Sequence, residues 1–198
     1  GSVRMTVPWY GSRKEALNFA NTRLDWINEQ LNKPAEEGSH PKEWTDGTPI
    51  LFRGEMTPLA ITATSSTIRV NFADQGFSAR GKNVDAREAV QAYLWELARP
   101  ELTRRTHELA VQFRLEVRRV TVRNQRARWG SCSANKTISL NWRLIMTPEF
   151  VRDYVIIHEL MHLRQLNHSK KYWSLVENAC PDYREAERWL KENAGLLR

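Results

Sequence analysis

Cysteine is scarce in this sequence: of 198 residues only Cys132 and Cys180 carry a thiol. Two thiols cannot build the disulfide framework on which small secreted domains rely, and a chain of this length does not need one. Both are expected to be free, in keeping with a cytoplasmic protein. No apolar run approaches the roughly 20 residues of a membrane-spanning helix, so no membrane partner is expected. The first residues lack the apolar stretch of a secretory signal. Internal repeats and low-complexity tracts are missing too. Acidic residues are outnumbered, 23 against 30 Lys and Arg, for a net charge of +7 and a pI near 9.7. That excess suits anionic partners, nucleic acid or nucleotides among them, and equally a plain solvated basic surface. What remains, 41% hydrophobic and 27% charged, is an ordinary globular composition. The length bounds one packed domain, or a core domain with a small appendage.

The texture of the chain divides near residue 82. Residues 3–8 read as a short strand stopped by Pro8. Residues 12–31 read as an amphipathic helix, with Ser12 and Glu15 at capping-box spacing. Residues 32–49 form a polar loop, in which His40 stands alone. Residues 50–73 hold two or three short strands. From Asn83 onward helices dominate. Residues 84–113 are helical with an interruption or kink at Pro100. Residues 115–124 and 137–145 are strands around a loop at 125–136. Residues 147–166 form one long helix, with Thr147 as N-cap and Pro148 in the first turn. Two shorter helices follow, capped by Ser169 and Asp182. The expected class is α+β: a β-rich part with one helix over residues 1–82, and a helix-rich part over 83–198.

Three of the five histidines crowd into "HELMHLRQLNH", residues 158–168. His158 and His162 are one helical turn apart, so both imidazoles project from one face and both reach one metal ion. Glu159 is rotated about 100° from His158, out of the ligand set and in place to act on a water. This is the H-E-x-x-H arrangement, with Glu159 as general base. His168 is too far along a straight helix to join the other two. The chain is therefore expected to turn after Leu166, with Asn167 in the left-handed conformation and His168 folding back as third ligand. Three imidazoles and one open position are the pattern of a catalytic zinc site, one Zn²⁺ per chain. "HELAV" at His107 lacks the second ligand and reads as ordinary helix.

Residues 128–191 resemble the YgjP-like metal-dependent hydrolases, a family of zinc metallopeptidase type similar at a distance to SprT-like and WLM zincins. The resemblance rests on "RWGSCS" (Arg128–Ser133), "LNWR" (Leu140–Arg143), "HELMH" (His158–His162) and "NHS" (Asn167–Ser169) with Tyr172 and Trp173. It implies a zincin-like catalytic half built on the active-site helix. It also implies that residues 137–144 line the cleft as the strand along which substrate pairs. Asn141, Arg143 and Tyr172 then become candidate substrate-binding residues, with Arg143 or Tyr172 a candidate donor to the oxyanion. Cys132 reads as a loop cysteine, and Trp129, Trp142, Tyr172 and Trp173 as core around the helix.

The activity this supports is hydrolysis of a peptide or protein. Two rivals share the site. The same activated water suits a nucleotide phosphoanhydride, which the basic stretch at Arg114, Arg118, Arg119, Arg123, Arg126 and Arg128 favours. A SprT-like protease acting near nucleic acid is the other, although no zinc ribbon or helix-turn-helix accompanies it.

Overall fold

The structure, a computed structural model, describes residues 12–25, 28, 43–81, 83–125 and 127–197. The strand read at 3–8, His40 and most of the loop around it lie outside that set. The chain divides into two compact units, residues 1–40 and 41–198. In the first, helix α1 (Arg13–Asn21) starts where the capping spacing places it: Ser12 Oγ accepts from the backbone N–H of Glu15 at 3.3 Å.

The second unit opens with five short strands, more than the sequence suggests. β1 (Pro49–Phe52) and β2 (Glu55–Pro58) form a hairpin; β3 (Ala60–Ala63), β4 (Thr67–Phe72) and β5 (Gln75–Arg80) form an antiparallel three-stranded meander. The β1–β2 turn is the two residues Arg53 and Gly54, at φ 50° and 88°. Both positive angles suit a tight hairpin. This turn fixes the approach to the site. Arg53 and Gly54 donate their backbone N–H groups to the carbonyls of Ile145 and Met146, at 3.3 and 2.8 Å. A Cβ on Gly54 would lie 2.5 Å from Cγ of Pro148, so only glycine lets the turn sit against the start of the active-site helix.

Helix α2 (Ala86–Gln112) is continuous through Pro100, where the sequence suggests a break. Pro100 is exposed, and the stripe Val90, Leu94, Ala98 and Leu102 on the other face is fully buried. That burial, about 1.5–3 kcal/mol for each large side chain, outweighs one lost helical hydrogen bond. The strands β6 (Arg119–Arg123), β7 (Gly130–Cys132) and β8 (Thr137–Asn141) make the sheet next to the site, in the order β6–β8–β7. β6 runs parallel to β8 and β7 antiparallel to it. β7 falls where the sequence reads as loop. Residues 142–145, read as the rest of a strand, turn instead within a 3-10 helix, Trp142–Met146.

Helix α3 (Glu149–Met161) follows. Thr147 does not cap it; its hydroxyl donates to the carbonyl of Leu144 at 2.9 Å, and Pro148 occupies the cap position. Nine of the 13 residues of α3 are buried, so it runs through the core rather than over it. Helices α4 (Lys170–Ala179) and α5 (Tyr183–Glu192) close the unit. Ser169 caps α4, its Oγ accepting from Tyr172 N–H at 3.4 Å, whereas Asp182 stands at the cap of α5 without a side-chain bond. One hydrophobic cluster joins Leu51, Phe52 and Val70 to Leu94, Leu140 and Ile156, so residues on both sides of position 82 share a core. The α+β class is as expected.

Candidate metal centre

Helix α3 ends earlier than the sequence suggests. Met161 is its last residue and His162 its C-cap, and residues 163–165 unwind through bonds to the carbonyls of Leu160 and Met161. The bend that returns His168 therefore begins four residues before Leu166. Asn167 does not take the left-handed conformation; its Oδ1 accepts from Gln165 Nε2 at 2.8 Å and braces the bend. His168 then sits one residue ahead of the α4 cap.

The result is a convergence of three imidazoles. One ring nitrogen from each of His158, His162 and His168 lies within 4.8 Å of the others. The Nε2 atoms of His158 and His168 are 3.1 Å apart. Two nitrogens bound tetrahedrally to zinc at about 2.0–2.1 Å stand about 3.3 Å from each other, so the set fits that ion. The Nδ1 atoms of His158 and His162 have partners outside the cluster. His162 Nδ1 donates to the carbonyl of Gln165 at 3.1 Å, which leaves Nε2 as its lone pair. His158 Nδ1 lies 3.4 Å from Tyr154 Oη, and that hydroxyl donates to Glu187 Oε1 at 2.8 Å. This is the outer-shell arrangement that fixes the tautomer of a metal ligand.

Electrostatics favour the neutral rings a metal requires. Burial, and then the neighbouring rings of His162 and His168, push His158 down to about 4. Burial also lowers His162. The ring of Tyr172 stacks on that of His162, with centroids 4.5 Å apart.

Glu159 is 6% exposed and shares a cleft of about 560 Å³ with His158, Trp129, Gly130 and Tyr154. Burial lifts its pKa to about 7, against the opposing pull of Arg128. Gly130 of β7 passes directly over it: a Cβ there would stand 2.6 Å from Cγ and from Oε1 of Glu159. The sequence reading missed this role of Gly130. Its only signal was a glycine inside a motif rich in small residues, and the partner is 29 positions away.

The other predicted residues divide. β8 is the central strand, paired on both sides, so it has no edge for an added strand, contrary to expectation. β6 and β7 are the edge strands of that sheet, and β7 is the one that carries Gly130 over Glu159. Asn141 is 4% exposed and ties a loop together. Its Nδ2 donates to the carbonyls of Gln125 and Arg128 at 2.8 and 3.3 Å, and its Oδ1 accepts from Arg143 N–H at 3.1 Å. Tyr172 is fully buried, and its hydroxyl donates to the carbonyl of His158 at 2.9 Å, so it packs against two of the three histidines. Arg143 lines a second cavity, adjoining the cleft. Cys132 and Cys180 are free thiols, and burial raises both, Cys132 to about 11. Among the described residues no helix is long and apolar enough to cross a membrane.

Residues 1–193 match the model of a family described as YgjP-like, metallopeptidase domain. No curated protein matches the chain. Two solved structures are similar to it. The metallopeptidase zymogen abylysin of Pyrococcus abyssi shares 22% identity over 46% of this chain and 93% of that one, with a TM-score of 0.42. The metallopeptidase zymogen jannalysin of Methanocaldococcus jannaschii shares 21% identity over 47% and 96%, also with a TM-score of 0.42.

Proposed function

The chain belongs to the YgjP-like family of metallopeptidase domains, and we propose that it is a zinc-dependent peptidase with Glu159 as general base. The observation that carries this is the convergence of three imidazole nitrogens, one of them from His158, which shares its cleft with the buried carboxylate of Glu159.

His158, His162 and His168 are the residues that would hold the ion. Zinc bound there supplies a Lewis acid and lowers the pKa of water in its open position. Glu159 takes the proton of the attacking water on a carboxylate oxygen and returns it to the departing amine. Its burial supports the assignment, because a base poised near neutrality is the most effective at neutral pH. Gly130 and Trp129 wall the cleft on the β7 side. The free edge of β7 offers an extended peptide backbone groups to pair with, which β8 does not.

The test is zinc content of the purified protein together with chelator-sensitive turnover of a peptide library. About one zinc per chain and peptide cleavage that Glu159→Gln abolishes without loss of zinc are the expected results. A fully active Glu159→Gln protein would refute the mechanism. Arg128 at the cleft and Arg143 in the cavity beside it favour a second reading, hydrolysis of a phosphoanhydride, so nucleoside triphosphates belong in the same panel.

A further inference from the structure

Next to the cleft that holds His158 and Glu159 lies a second cavity of about 520 Å³. The two share Arg128, Trp129 and Ala194 as walls, so one extended substrate can occupy both. Their charge differs. The cleft carries Glu159, Glu187 and Lys191 besides Arg128, whereas the second cavity is lined by Arg128 and Arg143 and by no acidic residue.

The two guanidiniums are presented differently. Arg143 is braced: it donates to Asn124 Oδ1, and its guanidinium lies 4.6 Å over the ring of Trp142. Arg128 is exposed, and among the described residues its guanidinium has no ion pair or hydrogen bond. Ala127, Trp129, Ala194 and Leu197 supply apolar wall around them. A guanidinium fork beside apolar surface matches a planar carboxylate, which takes two parallel N–H bonds from it. Among the described residues no glycine-rich loop of the kind that cradles a phosphate chain lines the cavity, which favours the smaller anion. Asn141, the other polar wall residue, has its amide turned to the carbonyls of Gln125 and Arg128.

We propose that this cavity is a carboxylate subsite, in which Arg128 and Arg143 select peptides bearing an acidic side chain or a free C-terminus near the scissile bond. The inference rests on the peptidase reading for its substrate class. The shared chemistry is the carboxylate; its two sources, side chain and terminus, are separated by the test.

The probes are blocked hexapeptides that differ at one position as Glu, Gln or Lys, each also made with a free or an amidated C-terminus. Their affinity for zinc-loaded Glu159→Gln protein is measured by calorimetry. The Glu peptide is expected to bind about tenfold or more tightly than its Gln counterpart if the side chain is read. The free acid is expected to exceed its amide by a similar factor if the terminus is read. Arg128→Gln is expected to erase the preference and Arg128→Lys to keep part of it, with melting temperatures showing that both variants fold. Equal affinity across the whole panel, or no binding at all, would overturn the proposal, and the comparison on the unmodified pocket decides this even where a variant misfolds. Arg128-dependent binding of a nucleoside triphosphate without any acidic preference among peptides would overturn it in favour of a phosphate site. Chelator-sensitive cleavage of any peptide of the panel, acidic or neutral, by the native protein is scored separately. Its absence sinks the peptidase reading, whereas charge-blind binding sinks only the subsite.

Discussion

Gly130 lies so close over Glu159 that a Cβ at residue 130 would stand 2.6 Å from both Cγ and Oε1 of the carboxylate. The strand β7 and the helix α3 therefore touch through a position that admits only a hydrogen atom. The contact also covers the carboxylate on one side and keeps it out of water. Gly130→Ala is predicted to displace Glu159 from its working position while leaving the three histidines in place. Turnover should fall about 10²-fold, the scale set by a misplacement near 1 Å, with zinc content unchanged. Parallel measurement of turnover and bound zinc checks this, and loss of zinc in equal measure would contradict it.

Tyr154 joins His158 to Glu187, a residue of α5 far outside the histidine motif. Tyr154→Phe removes the hydroxyl and leaves the ring in its packing. The expected consequence is a 10- to 100-fold weaker hold on zinc, of the size seen when outer-shell partners of a metal ligand are lost. Titration against a chromogenic chelator reads the affinity directly. An unchanged affinity would mean that His158 is oriented by its packing alone.

In the metal-free protein the burial of a neutral His158 contributes stability that acid removes. His158 in the folded chain is pushed down to about 4, chiefly by burial, against an ordinary value near 6.5 for the unfolded chain. Between these values the unfolded state binds the proton and the folded state does not. The stability contributed by a neutral His158 is therefore present above about 6.5 and is lost as pH falls towards 4. Glu159, raised by burial to about 7, takes up a proton on folding in the same window and contributes with the opposite sign, so the His158 share is read as a difference. Urea midpoints of chelator-treated protein from pH 7 to 4.5 should fall relative to those of a His158→Asn variant, and parallel profiles would contradict the assignment.

Arg152 and Glu101 tie α3 to α2. Arg152 is 8% exposed and its Nη1 lies 2.7 Å from Glu101 Oε1, while the other oxygen of Glu101 accepts from Arg53 in the β1–β2 turn at 3.1 Å. Removing the carboxylate leaves a buried cation without its partner. Glu101→Ala is predicted to cost about 3 kcal/mol in urea unfolding. The double variant Glu101→Leu, Arg152→Met should recover most of that loss, because no buried charge then remains uncompensated.

The sequence by itself determined the parts that depend on local spacing. Two histidines four positions apart share a helix face whatever the rest of the chain does, and Glu159 between them is rotated off that face by helix geometry alone. Ser12 and Ser169 were legible as caps because a cap is a matter of three residues. The convergence of His168 on the other two histidines was legible, although the bend that brings it back was placed four residues late. Asn167 suggested a left-handed turn, but the helix had already ended at His162, where the ring bonds the carbonyl of Gln165.

Only the tertiary structure decided what surrounds those ligands. Sheet order depends on packing across long separations, and nothing in residues 137–145 says that β8 is covered on both edges while β7 is not. The same holds for Gly130 over Glu159, for Glu187 behind Tyr154, and for Arg128 beside Arg143. Each pair joins residues whose own neighbours in sequence give no sign of the other. Burial then sets the electrostatics: the closing of β7 and the surrounding helices over α3 lifts the Glu159 carboxyl to about 7 and holds the His158 ring neutral.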